Sequence, residues 1–190
     1  MDTVASADGT VIAFDRYGDG PPVIMTVGAF NTRSQTGPLA KALAPRFTAL
    51  NYDRRGRGDS GDTAPYSVER EIDDIAALIQ QAGGSASVFG HSSGATLALK
   101  AAAAGLPITH LVLYEPPFNT GGNYPTLPAG FAEELAGLVA AGRRGDAVEL
   151  YQTQAVGIPQ EVVAQMRHAP FRPGLEAIAH TPRLRRGHCR

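Results

Sequence analysis

Ala86-Ser87-Val88-Phe89-Gly90-His91-Ser92-Ser93-Gly94 is the stretch on which the reading of this chain turns. A short apolar run leads straight into G-x-S-x-G, the turn that lifts a serine hydroxyl out at the end of a strand, known as a nucleophile elbow. Gly90 and Gly94 are the small neighbours such a turn requires, and a Cβ at either position is expected to collide with Ser92. Behind the turn, Ala95-Thr96-Leu97-Ala98-Leu99-Lys100 and four alanines make a strong helix-forming run. The N-terminus of that helix would set backbone N–H groups and a partial positive charge beside the serine.

The flanking sequence alternates in the same way. Val11–Tyr17 reads as an early strand ended by Gly18-Asp19-Gly20-Pro21. Pro22–Val27 is a continuous apolar strand of the kind buried in a parallel sheet, stopped by Gly28. A helix is expected over 36–44, ended by Pro45, then a strand over Phe47–Asp53. Ser67 can N-cap a helix with Glu69 and Glu71 in its first turn. Val68, Ile72, Ile75 and Ile79 give it one apolar face, and Gly83-Gly84 closes it. Ile108–Tyr114 is a further strand after the elbow helix. Strand and helix in alternation predict an α/β fold with a doubly wound, mostly parallel sheet.

The pattern changes after Glu115. Pro116, Pro117, Gly121, Gly122, Pro125 and Pro128 form a loop, and helical periodicity follows over 129–141, 145–156, 159–168 and about 173–180. A helical insertion after a sheet strand reads as a lid or cap. The expected division is a core over 1–118, a helical cap over 119–180 and an atypical Arg-rich tail over 181–190.

Composition narrows the function. The 190 residues carry a formal net charge of −1, with no sustained basic stripe before the last dozen residues, so no nucleic-acid partner is expected. The N-terminus lacks the cationic start and apolar core of a signal peptide, and no apolar run is long enough to span a membrane. Cys189 is the sole cysteine, excluding an internal disulfide and a Cys-built metal site. The expectation is a cytoplasmic protein acting on a small molecule, with no cofactor and no metal.

Three ordered segments together resemble the α/β-hydrolase family, specifically its cap-bearing members with a serine nucleophile. The elbow is the first. The second is Val27-Gly28-Ala29-Phe30, where the family has a His-Gly-x turn. The third is Tyr52-Asp53-Arg54-Arg55-Gly56-Arg57-Gly58-Asp59-Ser60, similar to the family's D-x-R-G-x-G-x-S loop. The resemblance runs to roughly residue 180. It implies that Ser92 is the nucleophile and that the backbone N–H groups of Ser93 and Ala29 form the oxyanion hole. Gly28, Gly90, Gly94, Asp53, Arg54, Gly56 and Gly58 would then support these loops. Val27 stands where the family commonly has histidine, which should alter turn support rather than chemistry. His91 and the Ser93 side chain are expected to pack rather than react.

Two other motifs compete. Gly56-Arg57-Gly58-Asp59-Ser60-Gly61 fits G-x-G-x-x-G, but Asp62-Thr63-Ala64-Pro65 intervene where a dinucleotide fingerprint must open straight into a helix. Arg57-Gly58-Asp59 spells an adhesion tripeptide, read as coincidence in a chain without a secretion signal. Arg54, Arg57 and Asp59 are expected instead to hold their own loop by charge-assisted hydrogen bonds.

The resemblance also requires an acid and then a histidine on loops after late strands. Those strands are expected to be missing. Glu115, at the end of the strand after the elbow helix, is the candidate acid, because some family members place it there. The other downstream acids, Glu133, Glu134, Asp146, Glu149, Glu161 and Glu176, lie in helical patterns that suit solvated faces. His110 lies within a strand, and His168 and His180 fall in or beside cap helices, so none is expected to serve as base. The tail from Pro182, with four arginines and the cysteine, reads as an altered frame truncating the fold. The expected activity is hydrolysis of a small ester, thioester or lactone through an acyl-enzyme, impaired by loss of acid and base. The alternatives are a non-catalytic binding module of this fold and a nucleotide-binding α/β protein using Gly56, Gly58 and Gly61.

Overall fold

Strand β3 (Pro22–Thr26) is apolar on both faces, and in the computed structural model, which describes residues 1–118 and 125–182, it lies in the interior of a six-stranded sheet. The strand order is β1-β2-β4-β3-β5-β6, with β1 at Asp2–Ala5, β2 at Val11–Tyr17, β4 at Thr48–Tyr52, β5 at Ala86–His91 and β6 at Ile108–Tyr114. β4, β3, β5 and β6 run parallel, while β1 and β2 add two antiparallel pairings at one edge. The mostly parallel sheet is as expected. β1 went unread because only Val4 of its four residues is even partly buried, which leaves no alternation to detect.

Period-two alternation divides the core between two layers. Ile24, Leu50 and Val88 face Ile75, Leu78 and Ile79 of α2 (Val68–Gln81) and Leu97, Ala98 and Ala101 of α3 (Ser93–Ala103). Val23, Met25 and Ala49 face the other way, onto Ala40 and Leu43 of α1 (Arg33–Leu43). α1 starts three residues earlier than the sequence suggests and runs through Pro38. Its start is fixed by the Gln35 side chain, which accepts from the Thr32 N–H at 2.7 Å. β6 forms the other edge of the sheet among the described residues: Leu111 and Leu113 pack inward, while Val112 and Tyr114 are 52% and 56% exposed.

The chain divides into two compact units, Met1–Pro116 and Pro117–Arg190. The regular elements described in the second are all helical: α4 (Phe131–Ala140), α5 (Arg144–Leu150), a π-helical turn (Tyr151–Val156), α6 (Gln160–Gln165), a short 3₁₀ turn (Met166–His168) and α7 (Arg172–Ala177). The helices expected over 145–156 and 159–168 thus change pitch partway, and the last ends at Ala177 rather than about 180. Phe131, Leu135, Ala147, Val148 and Val163 are buried in this unit, and buried Arg172 ties Gly145, Glu149 and Glu176 together. The Arg-rich tail from Arg183 and loop residues 119–124 lie outside the described residues. No helix among the described residues is long and apolar enough to cross a membrane.

Candidate active site

Ser92 stands between the last residue of β5 and the first of α3, with φ 53° and ψ −123°. That backbone region is costly for a residue with a side chain and persists only where the surroundings enforce it. They do so on both sides. The Ser92 N–H donates to the Tyr114 carbonyl at 2.9 Å, and the Ser92 carbonyl accepts the first helical bond, from Ala95 N–H at 2.9 Å.

The glycines beside it are needed for a reason different from the one read in the sequence. A Cβ on Gly90 would lie 2.5 Å from Ala95 Cα, and one on Gly94 would lie 2.5 Å from the Val27 carbonyl oxygen. The collisions are with backbone of α3 and of the segment leaving β3, not with Ser92. Gly28 is the close neighbour of the serine itself: its added Cβ would sit 3.1 Å from Ser92 Cβ. The 27–30 loop and the elbow therefore abut at the carboxyl ends of β3 and β5, where open α/β sheets place ligands.

Two buried guanidiniums fasten this loop. Arg54 donates to Glu71 through Nε at 2.6 Å and Nη2 at 2.7 Å. Its Nη1 reaches the Val27 carbonyl and the Ser93 hydroxyl, both at 3.2 Å. Arg57 Nη1 donates to the Gly28 carbonyl at 2.5 Å and the Asn31 carbonyl at 3.3 Å. These arginines were expected to hold their own loop; they hold the neighbouring one instead. Burial pushes the Glu71 carboxyl up, but the charge and hydrogen bonds of Arg54, with Arg57 and Tyr66, outweigh it and hold it at about 2. Burial and the like charge of Arg54 bring Arg57 down to about 9, so it stays protonated at neutral pH. Glu71 is the member sequence reasoning missed: its place in the first turn of α2 suggested only a favourable helix dipole, whereas its side chain is 4% exposed. Its signal lay in a buried-face position of a helix, one turn from Ile75.

Asp53 is fully buried and accepts from the Arg33 and Asp59 backbone N–H groups at 2.7 and 3.0 Å, besides pairing with the Arg33 guanidinium. Asp59 binds Arg33 at 2.7 Å. Gly56 and Gly58 take positive φ, 75° and 52°, in the same loop, which continues through Ser60 rather than opening into a helix. No dinucleotide turn forms there.

Glu115 follows Tyr114 directly, is exposed and has φ 49°. Its backbone thus begins one residue from the carbonyl that holds Ser92. Of the described histidines, His91 and His110 lie in the first unit. The His91 ring lies 5.6 Å from the Tyr114 ring. His110 is exposed and 3.5 Å from Ser87 Oγ, at the opposite end of β5 from Ser92. His168 and His180 belong to the helical unit. Neither the His91 nor the His110 contact is with Ser92. Among the described residues there is no group of three His, Cys, Asp or Glu that could hold a metal ion.

A mostly parallel sheet with helices on both faces, and a strained serine at a strand-to-helix turn beside a backbone loop, defines the doubly wound class of α/β proteins with an elbow at the strand ends. The chain belongs to the alpha/beta hydrolase family, which it matches over residues 24–188. The crystal structure of an alpha/beta hydrolase from Sphaerobacter thermophilus is 57% identical with a TM-score of 0.91, covering 95% of this chain and 70% of that one. N-formylmaleamate deformylase of Pseudomonas putida is 29% identical over 177 residues, 90% of this chain and 66% of that protein. The 2-(acetamidomethylene)succinate hydrolase of Mesorhizobium japonicum is 38% identical over 89 residues, 45% of this chain and 32% of that protein. The chain thus spans less than two thirds of the length of these two curated relatives.

Proposed function

We propose that this chain is a serine hydrolase acting on a small acyl compound through an acyl-enzyme on Ser92. The observation that carries this reading is the strained Ser92 backbone between β5 and α3, with Gly28 so close that a Cβ added to it would fall 3.1 Å from Ser92 Cβ. A strained serine against a backbone loop suits attack on an acyl carbon whose oxygen is received by N–H groups. The N–H groups of Ala29 and Ser93 fill that role, each stabilising the tetrahedral oxyanion by about 3 kcal/mol. Glu115, which directly follows the Tyr114 whose carbonyl accepts from the Ser92 N–H, is the candidate acid. The substrate is a small ester, thioester or lactone; the deformylase among the relatives adds an N-formyl amide to that range. The role proposed for the helical unit is that of a substrate-selecting cap, and the working compartment is the cytoplasm.

A serine hydroxyl needs a base to become a good nucleophile. The contacts of His91 and His110, which are with Tyr114 and Ser87 rather than Ser92, favour as second reading a binding protein that keeps the pocket without turnover. External imidazole separates the two. With p-nitrophenyl acetate, imidazole should accelerate the wild-type chain more than the Ser92→Ala variant. An identical response in both would support the binding protein.

A further inference from the structure

Arg57 carries a buried charge, and its Nη1 hydrogen bonds go to carbonyls rather than carboxylates. Its residue is 3% exposed, its Nε is buried without a partner, and its Nη1 meets two carbonyl oxygens. Glu71, the acid that faces it, is already held by both Arg54 nitrogens and by the Tyr66 hydroxyl at 2.7 Å. A buried cation so placed costs stability that an apolar side chain of similar size would not. Arg57 stands at one of the three x positions of the D-x-R-G-x-G-x-S pattern, so the pattern itself does not demand arginine there.

The two carbonyls that the arginines hold are consecutive. Arg54 takes that of Val27 and Arg57 that of Gly28. The Gly28 carbonyl and the Ala29 N–H are two ends of one planar trans peptide, and they point in opposite directions. Fixing the carbonyl against Arg57 therefore fixes the direction of the Ala29 N–H. A charge-assisted hydrogen bond at the carbonyl end also draws electron density across the amide and makes the N–H a stronger donor.

We infer that Arg57 is a positioning residue of the oxyanion hole, orienting and polarising the Gly28–Ala29 peptide so that the Ala29 N–H binds a developing oxyanion. The ligand class is a tetrahedral anion attached to Ser92 Oγ. The inference rests on the reading of Ala29 as an oxyanion donor, and it assigns to a side chain what that reading leaves to backbone alone. It also gives this buried charge a use: a positive charge behind the donor, in a site where dielectric screening is low.

The test uses the full chain, with two readouts. The first is the amide proton shift of Ala29 in a ¹⁵N–¹H spectrum. The second is calorimetric affinity for phenylboronic acid, which forms a tetrahedral adduct with serine. In Arg57→Met the Ala29 proton should move upfield while that of Ser93 stays, and phenylboronic acid should bind about tenfold more weakly. Arg57→Gln, which keeps a donor but not the charge, should fall between, and it carries the test should Arg57→Met not fold. An unmoved Ala29 proton in the folded variants, or an affinity within about twofold of wild type, overturns the inference. Equal affinity in Ser92→Ala would instead sink the nucleophile reading, leaving the Ala29 proton to judge Arg57.

Discussion

Replacing Glu71 with glutamine isolates the ion pair that joins the 27–30 loop to the elbow. The wild-type pair is bidentate, at 2.6 and 2.7 Å, with side chains 7% and 4% exposed. Glu71→Gln keeps the shape and one acceptor but leaves Arg54 and Arg57 buried with no anion between them. Breaking a buried pair from one side costs about 3–5 kcal/mol, and the retained acceptor places this case at about 3. With a urea slope of about 2 kcal/mol per molar, the unfolding midpoint should fall by about 1.5 M. A double variant, Glu71→Leu with Arg54→Met, removes both charges and should recover much of that loss. The pH dependence follows from the same carboxylate. Its folded pKa, about 2, lies below the unfolded value of about 4.3, so its contribution is complete above about pH 4.3 and is lost as pH falls toward 2. That component, on the order of 3 kcal/mol, should be absent from the acid limb of Glu71→Gln. A loss below about 1 kcal/mol at neutral pH, the range of exposed pairs, would refute the reasoning.

Gly94→Ala drives a Cβ into the Val27 carbonyl and should lower Tm by about 10 °C. Gly137→Ala, with nothing within 4 Å of its added Cβ, should stabilise α4 by up to about 1 kcal/mol; calorimetry reads both. If Ser92 lacks a histidine base, p-nitrophenyl acetate hydrolysis by the unmodified chain should exceed the water reaction by no more than about 10³–10⁴-fold, and a larger enhancement abolished by Ser92→Ala would point to His168, His180 or His188 as base. Val112→Lys, on the half-exposed face of β6, should reduce self-association in size-exclusion chromatography, whereas an unchanged profile would mean that face is not sticky.

The sheet was legible because its central strands are buried on both faces and read as unbroken apolar runs, and because α2 repeats its apolar residues at helical spacing. The serine turn was legible because two glycines and a helix-forming run bracket it. What escaped has physical causes. β1 is short and mostly exposed, so it leaves no pattern. The helix expected from residue 36 begins at Arg33, because the Gln35 side chain caps the Thr32 N–H, a contact that composition does not show. The reach of Arg54 and Arg57 into the 27–31 loop depends on two segments about 27 residues apart meeting in space, which spacing alone does not reveal. Glu71 looked like a dipole-satisfying surface acid because a one-dimensional pattern does not show which face of a helix a neighbouring arginine will cover.

The proposal that Ser92 is the nucleophile is tested most directly by acid-quenching the chain during reaction with p-nitrophenyl acetate, then reading intact mass and a peptide map. The account predicts one acetyl group on Ser92, absent from Ser92→Ala. Acetylation confined to Lys41, Lys100 or the N-terminus, with the same residual hydrolysis in Ser92→Ala, would contradict it.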